Sequence, residues 1–395
     1  MSHSKIPQNN QRITSLDAIR GLAIFGILLA NIQSWSGYRF IELEDIPSLY
    51  GSDSDDALYT VYQWLVSGKF YTIFCLLFGA GFWLQWQRKQ GQAETWVPVY
   101  RKRLAWLLVF GLLHTVIWSG DILTLYALLG FVMLMMRKLS TVSRKWLAGF
   151  LLLCFMIPSF AMLMFAPGWP GVEQVAHKTY PTWAANDIVM VLTTGDILEY
   201  LKLNLHNVAW RWYDMLPDGR ITRVLGLFLL GGLLIESGFF SKWGGHLRTI
   251  AIAAIMGFSG LALTQFLGGS AGDQWPVAPQ QVFAKACSVI GQLGVAIMYM
   301  GLLIRADQHL QGWLRAPINW LANIGKTAFT CYISQTLIGL WLFSVFDLAG
   351  SVGLGALWLI AVVIYGAQVV LAHWWLSHFK MGPVESLWRR LSEAR

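Results

Sequence analysis

The chain has 395 residues, of which 56% are hydrophobic and only 13% charged, and its formal net charge is +8. Soluble domains carry about 25% charged residues, so a soluble globule of this length is excluded for want of polar surface. The basic excess does not point to a nucleic-acid partner either, because Lys and Arg sit in short segments between apolar stretches, which is the pattern of membrane topology.

A helix crosses the hydrocarbon core with roughly 20 mostly apolar residues. Such runs recur along the whole chain and are continuous rather than alternating, which disfavours a β-barrel. The reading is an all-α polytopic membrane protein of about ten transmembrane helices. In chain order the spans are expected at 16–36, 57–85, 102–119, 121–136, 146–166, 222–240, 247–267, 281–304, 322–346 and 353–377. Residues 1–15 are polar and lead into a span too long for a cleavable signal, with no small-residue cleavage site after it.

With a cytoplasmic N-terminus, the inside segments hold nineteen of the 29 Lys and Arg, whereas the outside loops 37–56, 268–280 and 347–352 hold only Arg39. The positive-inside rule then places both termini in the cytoplasm. The expected location is the bacterial inner membrane, with the lipid bilayer as first partner.

Segment 167–221 is expected outside. It opens on a Pro/Gly-rich turn at 167–171 and continues into an amphipathic helix, Ile197–Met215, in which Leu201, Leu205 and Trp212 alternate with Glu199, Lys202 and Arg211. Such a helix is either an interfacial connector or a cap over an opening in the bundle. The segment separates a five-span N-terminal half (1–166) from a five-span C-terminal half with a cytoplasmic tail (222–395). No repeat relates the halves, so an inverted-repeat transporter has no positive support. A homo-oligomer is compatible with this layout.

Ionisable groups inside the bilayer are costly and are candidates for function. Asp17 and Arg20 are three apart at the mouth of span one and share a helix face, as a cap with a topology anchor or as a binding pair. Gly21 and Gly26 admit a close neighbour. Asn31, deeper in that span, is interhelical glue or a site group. Lys69 falls near the middle of span two and needs a carboxylate, carbonyls or water beside it, and the run Phe78-Gly79-Ala80-Gly81 predicts close helix packing.

His114 stands near the end of span three, followed by a short turn with Gly120 and Asp121, and then Tyr126. A histidine there can act as a general base with the carboxylate orienting its ring; the alternative is a satisfied core histidine. Glu236 and Lys285 are expected near interfaces, and Lys326, Ser334 and Gln335 form a polar stripe in span nine. Cys75, Cys154, Cys287 and Cys331 lie in apolar stretches without paired spacing and read as core residues. No P-loop, GxSxG elbow, dinucleotide fingerprint or metal-ligand spacing occurs, so neither a metal nor a tightly bound cofactor is expected.

Several motifs together resemble the YeiB-type bacterial membrane proteins. They are Leu16-Asp17-Ala18-Ile19-Arg20-Gly21, Lys69-Phe70 with Leu77-Phe78-Gly79-Ala80-Gly81, and Gly111-Leu112-Leu113-His114 with Gly120-Asp121-Ile122-Leu123. Gly325-Lys326-Thr327-Ala328-Phe329-Thr330-Cys331-Tyr332 and Gly382-Pro383-Val384-Glu385 complete the set, in order over essentially the whole chain. The opening Leu-Asp-x-x-Arg-Gly is also similar to that of the membrane acyltransferases that modify surface polysaccharides, and of the lysosomal heparan glucosamine N-acetyltransferase. In the polysaccharide enzymes a catalytic histidine falls eleven residues after the arginine. Here that position is Asn31, as in the heparan type, which leaves His114 as the base.

The resemblance implies a transmembrane acyltransferase. It would move an acyl group from cytoplasmic acyl-CoA, as co-substrate, to an extracytoplasmic glycan, lipid or small molecule. His114, Asp121 and Lys69 would be catalytic. Asp17, Arg20, Asn31, Arg88, Arg101, Arg103, Tyr126, Lys326 and Gln335 would bind substrate or CoA. A transporter of a small or lipidic solute, or a non-catalytic lipid-binding protein, is the alternative.

Overall fold

A computed structural model describes residues 14–41, 44–154, 156–165, 185–194, 196–215, 218–268 and 279–394. The 167–171 turn, the N-terminal Lys5 and Arg12, and most of loop 268–280 lie outside them. Among the described residues the protein is helical, and strand-like pairing is limited to one bridge between Tyr50 and Val352. Six helical stretches are long and apolar enough to cross a membrane: Thr14–Trp35, Asp55–Lys89, Leu247–Phe266, Gln280–His309, Ala328–Val345 and Leu354–His378.

The first of these, α1 (Thr14–Trp35), is the most buried of the six and forms the axis of the bundle. Its apolar residues recur on every face, as a helix enclosed by others requires. Glycine decides how close the neighbours come. A Cβ on Gly21 would sit 2.0 Å from the Leu321 carbonyl oxygen, so α13 (Ala316–Lys326) packs backbone to backbone on α1. Gly79 on α3 (Lys69–Lys89) meets the Phe228 carbonyl of α10 (Arg220–Glu236) in the same way, whereas Gly81 faces open space.

The expected second span is not one smooth helix. Here α2 (Asp55–Val61) widens into a π-helical turn over Tyr62–Val66, and Gly68, at φ +77°, restarts the chain as α3. Lys69 therefore stands at the head of a helix rather than in the middle of one. The expected ninth span also divides, at Thr327, into α13 and α14 (Ala328–Val345). Thr327 donates to the Asn323 and Ile324 carbonyls, a local bond that competes with helix continuation. Lys326 is thus separated from the helix of Ser334 and Gln335.

The next helices are α4 (Ala93–Ile117), α5 (Leu123–Met135), α6 (Thr141–Cys154) and α7 (Met156–Phe165). At 1.5 Å per residue α5 is about 20 Å long, short of a full crossing. Then come α8 (Ala185–Thr194) and α9 (Ile197–Met215), and after α10 follow α11 (Leu247–Phe266) and α12 (Pro279–His309). The chain ends in α15 (Leu354–His378) and α16 (Pro383–Glu393). The first and last parts of the chain share one core: α10 packs on α3 and α6, and α1 on α12 to α15.

Both ends of the bundle are tied by carboxylates at helix N-termini, Glu385 half-buried and Asp55 buried. Where α1 begins, Glu385 accepts from the amides of Phe329 (2.7 Å) and Thr330 (3.2 Å) and from the Thr330 hydroxyl, capping α14. Where α1 ends, Asp55 accepts from the amides of Leu354 (2.9 Å) and Gly355 (3.1 Å) and from the Tyr38 hydroxyl, capping α15. Each supplies acceptors to amides that a helix start leaves without partners.

Candidate functional site

His114 lies in the last turn of α4, and the Trp118-Ser119-Gly120 turn brings Asp121 back beside it. His114 Nδ1 and Asp121 Oδ1 are 2.8 Å apart, with both side chains only 1% exposed. The other carboxylate oxygen accepts the Thr124 amide at 2.8 Å, so Asp121 also anchors the start of α5. A Cβ on Gly111 would stand 2.5 Å from the Thr124 nitrogen, and this close crossing is what lets the two side chains meet. The remaining ring nitrogen, Nε2, is 3.1 Å from the Thr336 hydroxyl of α14. With Nδ1–H directed to the carboxylate, Nε2 accepts that hydroxyl proton, giving an Asp-His-Thr relay.

The expected amphipathic helix is present as α9, and it covers this turn. Asn204 donates to the Thr115 and Val116 carbonyls at 2.8 and 2.9 Å and accepts the Ser119 amide at 2.6 Å. Tyr200 donates to the Ile117 carbonyl at 2.6 Å, and Arg211 to the Ser119 carbonyl at 3.2 Å. The last carbonyls of α4, which a helix end leaves without partners, are satisfied from α9. Its inward face mixes buried Asn204 with buried Leu203 and Met215, while Leu201 and Leu205 are exposed.

Beside this turn, at the end of the bundle where α1 finishes, is a cavity of about 1150 Å³. Its wall includes Asn31 and Gln33 of α1, Phe70 and Tyr71 of α3, Trp118, Ile122, Asn204, and Tyr332 and Leu340 of α14. One side is basic: Arg211 from α9, Arg220 and Arg223 from the first turn of α10, and Lys285 from α12 all line it. Asp218 joins three of these, at 3.1 Å from Arg220, 3.5 Å from Arg223 and 2.5 Å from Lys285. Thr336 is fully buried, and the His114 ring packs against Trp118 and Tyr332 of the wall at centroid distances of 6.0 and 5.0 Å, so the Asp-His-Thr relay stands behind the wall.

The other sequence candidates are dispersed. Asn31 is on the cavity wall. Lys69 is fully buried and donates to the Gln63 carbonyl inside the π-helical turn, which answers its need for a partner. Tyr126 Oη lies 3.1 Å from Cys75 Sγ within the core, and Gln335 bonds Gln368 at 2.8 Å.

At the opposite end, Arg20 pairs with Asp17 at 2.9 Å and reaches the Gly325 carbonyl at 3.3 Å. Lys326 stands 3.5 Å from Asn323, in the last turn of α13. Arg103 bonds Gln85 at 3.1 Å and stacks on Trp388 of α16, while Arg88 and Arg101 are exposed. Glu236 is held by Arg144 at 2.6 Å and by Gln87 at 3.0 Å. Among the described residues no group of three or more His, Cys, Asp and Glu converges as a metal site would need.

Sequence reasoning passed over Arg220, Arg223 and Asp218, and gave Arg211 and Lys285 no site role. The available signal was that Arg211, Arg220 and Arg223 stand in or beside the segment expected outside, which the positive-inside rule would leave poor in Lys and Arg.

Residues 234–395 match the family described as "Protein of unknown function (DUF418)". The chain is 29% identical to "Uncharacterized protein YxaH" of Bacillus subtilis (strain 168), over 98% of this chain and 96% of that protein. It is 26% identical to "Uncharacterized protein YeiB" of Escherichia coli (strain K12), over 97% and 96% of the two chains. An "Uncharacterized 39.9 kDa protein in amylase 3'region" of Bacillus acidopullulyticus is likewise 26% identical, over 98% and 95%. No solved structure matches the chain. The chain is thus similar along nearly its full length to uncharacterised YeiB-like proteins, with the family match falling on its C-terminal part.

Proposed function

We propose that the protein crosses the bacterial inner membrane about ten times, with both termini cytoplasmic, and transfers an acyl group from cytoplasmic acyl-CoA to an acceptor held in the outer cavity. The observation that carries this reading is the buried Asp121-His114-Thr336 relay directly behind the cavity wall. Asn31, at the position where the resembling polysaccharide acyltransferases have their histidine, is on that same wall. Exposed Arg88 and Arg101 at the opposite end suit a polyanionic donor such as CoA.

In the reaction, Tyr332 swings aside from the wall, and the acceptor hydroxyl or amine attacks the thioester carbonyl and loses its proton through Thr336 to His114 Nε2. Asp121 stabilises the imidazolium, which returns the proton to the departing CoA thiolate. Lys69, tied to the Gln63 carbonyl, serves as a helix-start anchor in this scheme rather than as the group that polarises the thioester.

Purified protein in nanodiscs, given acetyl-CoA, should release CoA, and His114→Ala should abolish that release. The reading fails if acyl-CoA neither binds nor changes thermal stability at millimolar concentration. A carrier for an anionic solute is the second reading, favoured because His114, Asp121 and Lys69 are all absent from the cavity wall. Solute counterflow in proteoliposomes that persists without CoA would select it.

A further inference from the structure

The basic wall of the cavity is unlike the rest of the bundle. Five basic side chains line the cavity (Arg39, Arg211, Arg220, Arg223 and Lys285), against three acidic ones, Asp55, Asp56 and Asp218. Asp55 is committed to capping α15. Asp218 fixes the positions of Arg220, Arg223 and Lys285, which come from two separate helices. Cations brought together in an apolar bundle repel one another and lose hydration, so gathering four of them on one wall is costly unless an anion visits it.

The hydrogen-bond pattern says where that anion sits. Nε of Arg211 and Nε of Arg223 are buried without a hydrogen-bond partner, and the buried Tyr332 hydroxyl, beside the Ile122 amide, donates its proton to no protein group. Buried polar atoms are normally satisfied, yet these three donors lie on residues that all line the same cavity. Tyr332 is 4% exposed. The N-terminus of the 17-residue α10, the positive end of its dipole, is at the same wall.

We propose that this wall binds the phosphoryl group of a phosphate ester, with Arg211, Arg223, Lys285 and the Tyr332 hydroxyl as its direct donors. Arginine forks match phosphate oxygens in pairs, and a group of charge near −2 answers several cations better than one carboxylate does. Bare phosphate fills only a small part of about 1150 Å³. The body of the ester therefore rests on the apolar part of the wall, at Phe70, Ile122 and Leu340. The same chemistry is offered by an outer-leaflet lipid headgroup and by a soluble sugar or glycerol phosphate. The site is the acceptor cavity of the proposed function, and it is assayed here with no acyl donor present. Loss of phosphate binding and loss of acyl transfer are therefore separate results.

The test uses full-length protein in phosphatidylcholine nanodiscs, with thermal stability read against sn-glycerol 3-phosphate in solution or phosphatidic acid in the bilayer. Oleate is the carboxylate control. At least one phosphate probe should raise the melting temperature with dose. Arg223→Gln and Tyr332→Phe should weaken its apparent affinity by about tenfold or more, with exposed Arg248→Gln unchanged. A shift with phosphatidic acid alone assigns the site to a lipid headgroup, and a shift with glycerol 3-phosphate as well assigns it to soluble esters. Should Arg223→Gln fail to fold, Tyr332→Phe still decides, because it deletes only a hydroxyl that donates to no protein group. The proposal is overturned if neither phosphate shifts the wild type, if oleate shifts it as much, or if Tyr332→Phe binds like the wild type.

Discussion

The side-chain amide of Asn204 donates to the Val116 carbonyl at 2.9 Å, so the helix covering the cavity also finishes the helix that carries His114. Cover and candidate site are one hydrogen-bonded unit, because the same Asn204 holds the Thr115 carbonyl and the Ser119 amide. Replacing Asn204 with Leu keeps the volume and strands two carbonyls and one amide. We expect a loss of at least about 3 kcal/mol, since each of the three buried groups left unsatisfied costs on the order of 1–3 kcal/mol. Chemical denaturation in detergent would show it; an unchanged midpoint would mean that water replaces the cap.

Sidedness is tested by labelling. In a background without the four native cysteines, Lys202→Cys on α9 and Lys145→Cys on α6 place single exposed thiols at opposite ends of the bundle. A membrane-impermeant maleimide should modify the Lys202→Cys thiol in intact cells and the Lys145→Cys thiol only after permeabilisation. The reverse pattern would invert the proposed topology and put the basic cavity in the cytoplasm.

Glycines separate close packing from mere apolar character. Gly21→Val should prevent stable folding, because its Cβ would stand 2.0 Å from a backbone oxygen, Leu321 O, that has nowhere to go. Gly81→Ala meets nothing within 4 Å and should be neutral or stabilising, by up to about 1 kcal/mol from helix propensity. Detergent-solubilised yield and melting temperature give both results.

The helical class and the segments that become helices were legible because a 20-residue apolar run admits few other structures in lipid. The meeting of His114 with Asp121 was legible as well, since only six residues and a Gly turn separate them. What was hidden depended on partners far along the chain. Thr336 lies 222 residues from His114, and nothing local marks it. Lys69 looked like a group in mid-span because the π-helical break at Tyr62–Val66 has no apolar signature. In α9 nothing local told which leucines turn inward: Leu203 is buried beside Asn204, whereas Leu201 and Leu205 face outward. Arg220 and Arg223 looked like the flank of a span until Asp218 and Lys285 were placed beside them.

The His114–Asp121 pair separates a catalytic role from a structural one. Both side chains are 1% exposed, and removing one partner of a buried pair costs about 3–5 kcal/mol because the other is left uncompensated. His114→Ala and Asp121→Ala alone should therefore each be destabilising, and the double variant should lose much less than their sum. Asp121→Asn is the informative change. Its amide oxygen can still accept from the Thr124 amide or from the His114 ring, so the fold should survive, but the carboxylate that supports an imidazolium is gone. General-base catalysis contributes roughly 10²–10⁴-fold, so acyl transfer should fall by about that factor, with little change in the concentration of acyl-CoA giving half-maximal rate. If transfer by Asp121→Asn equals that of the wild type while Asp121→Ala unfolds, the pair is a structural clasp between α4, α5 and α14, and the base must be sought elsewhere.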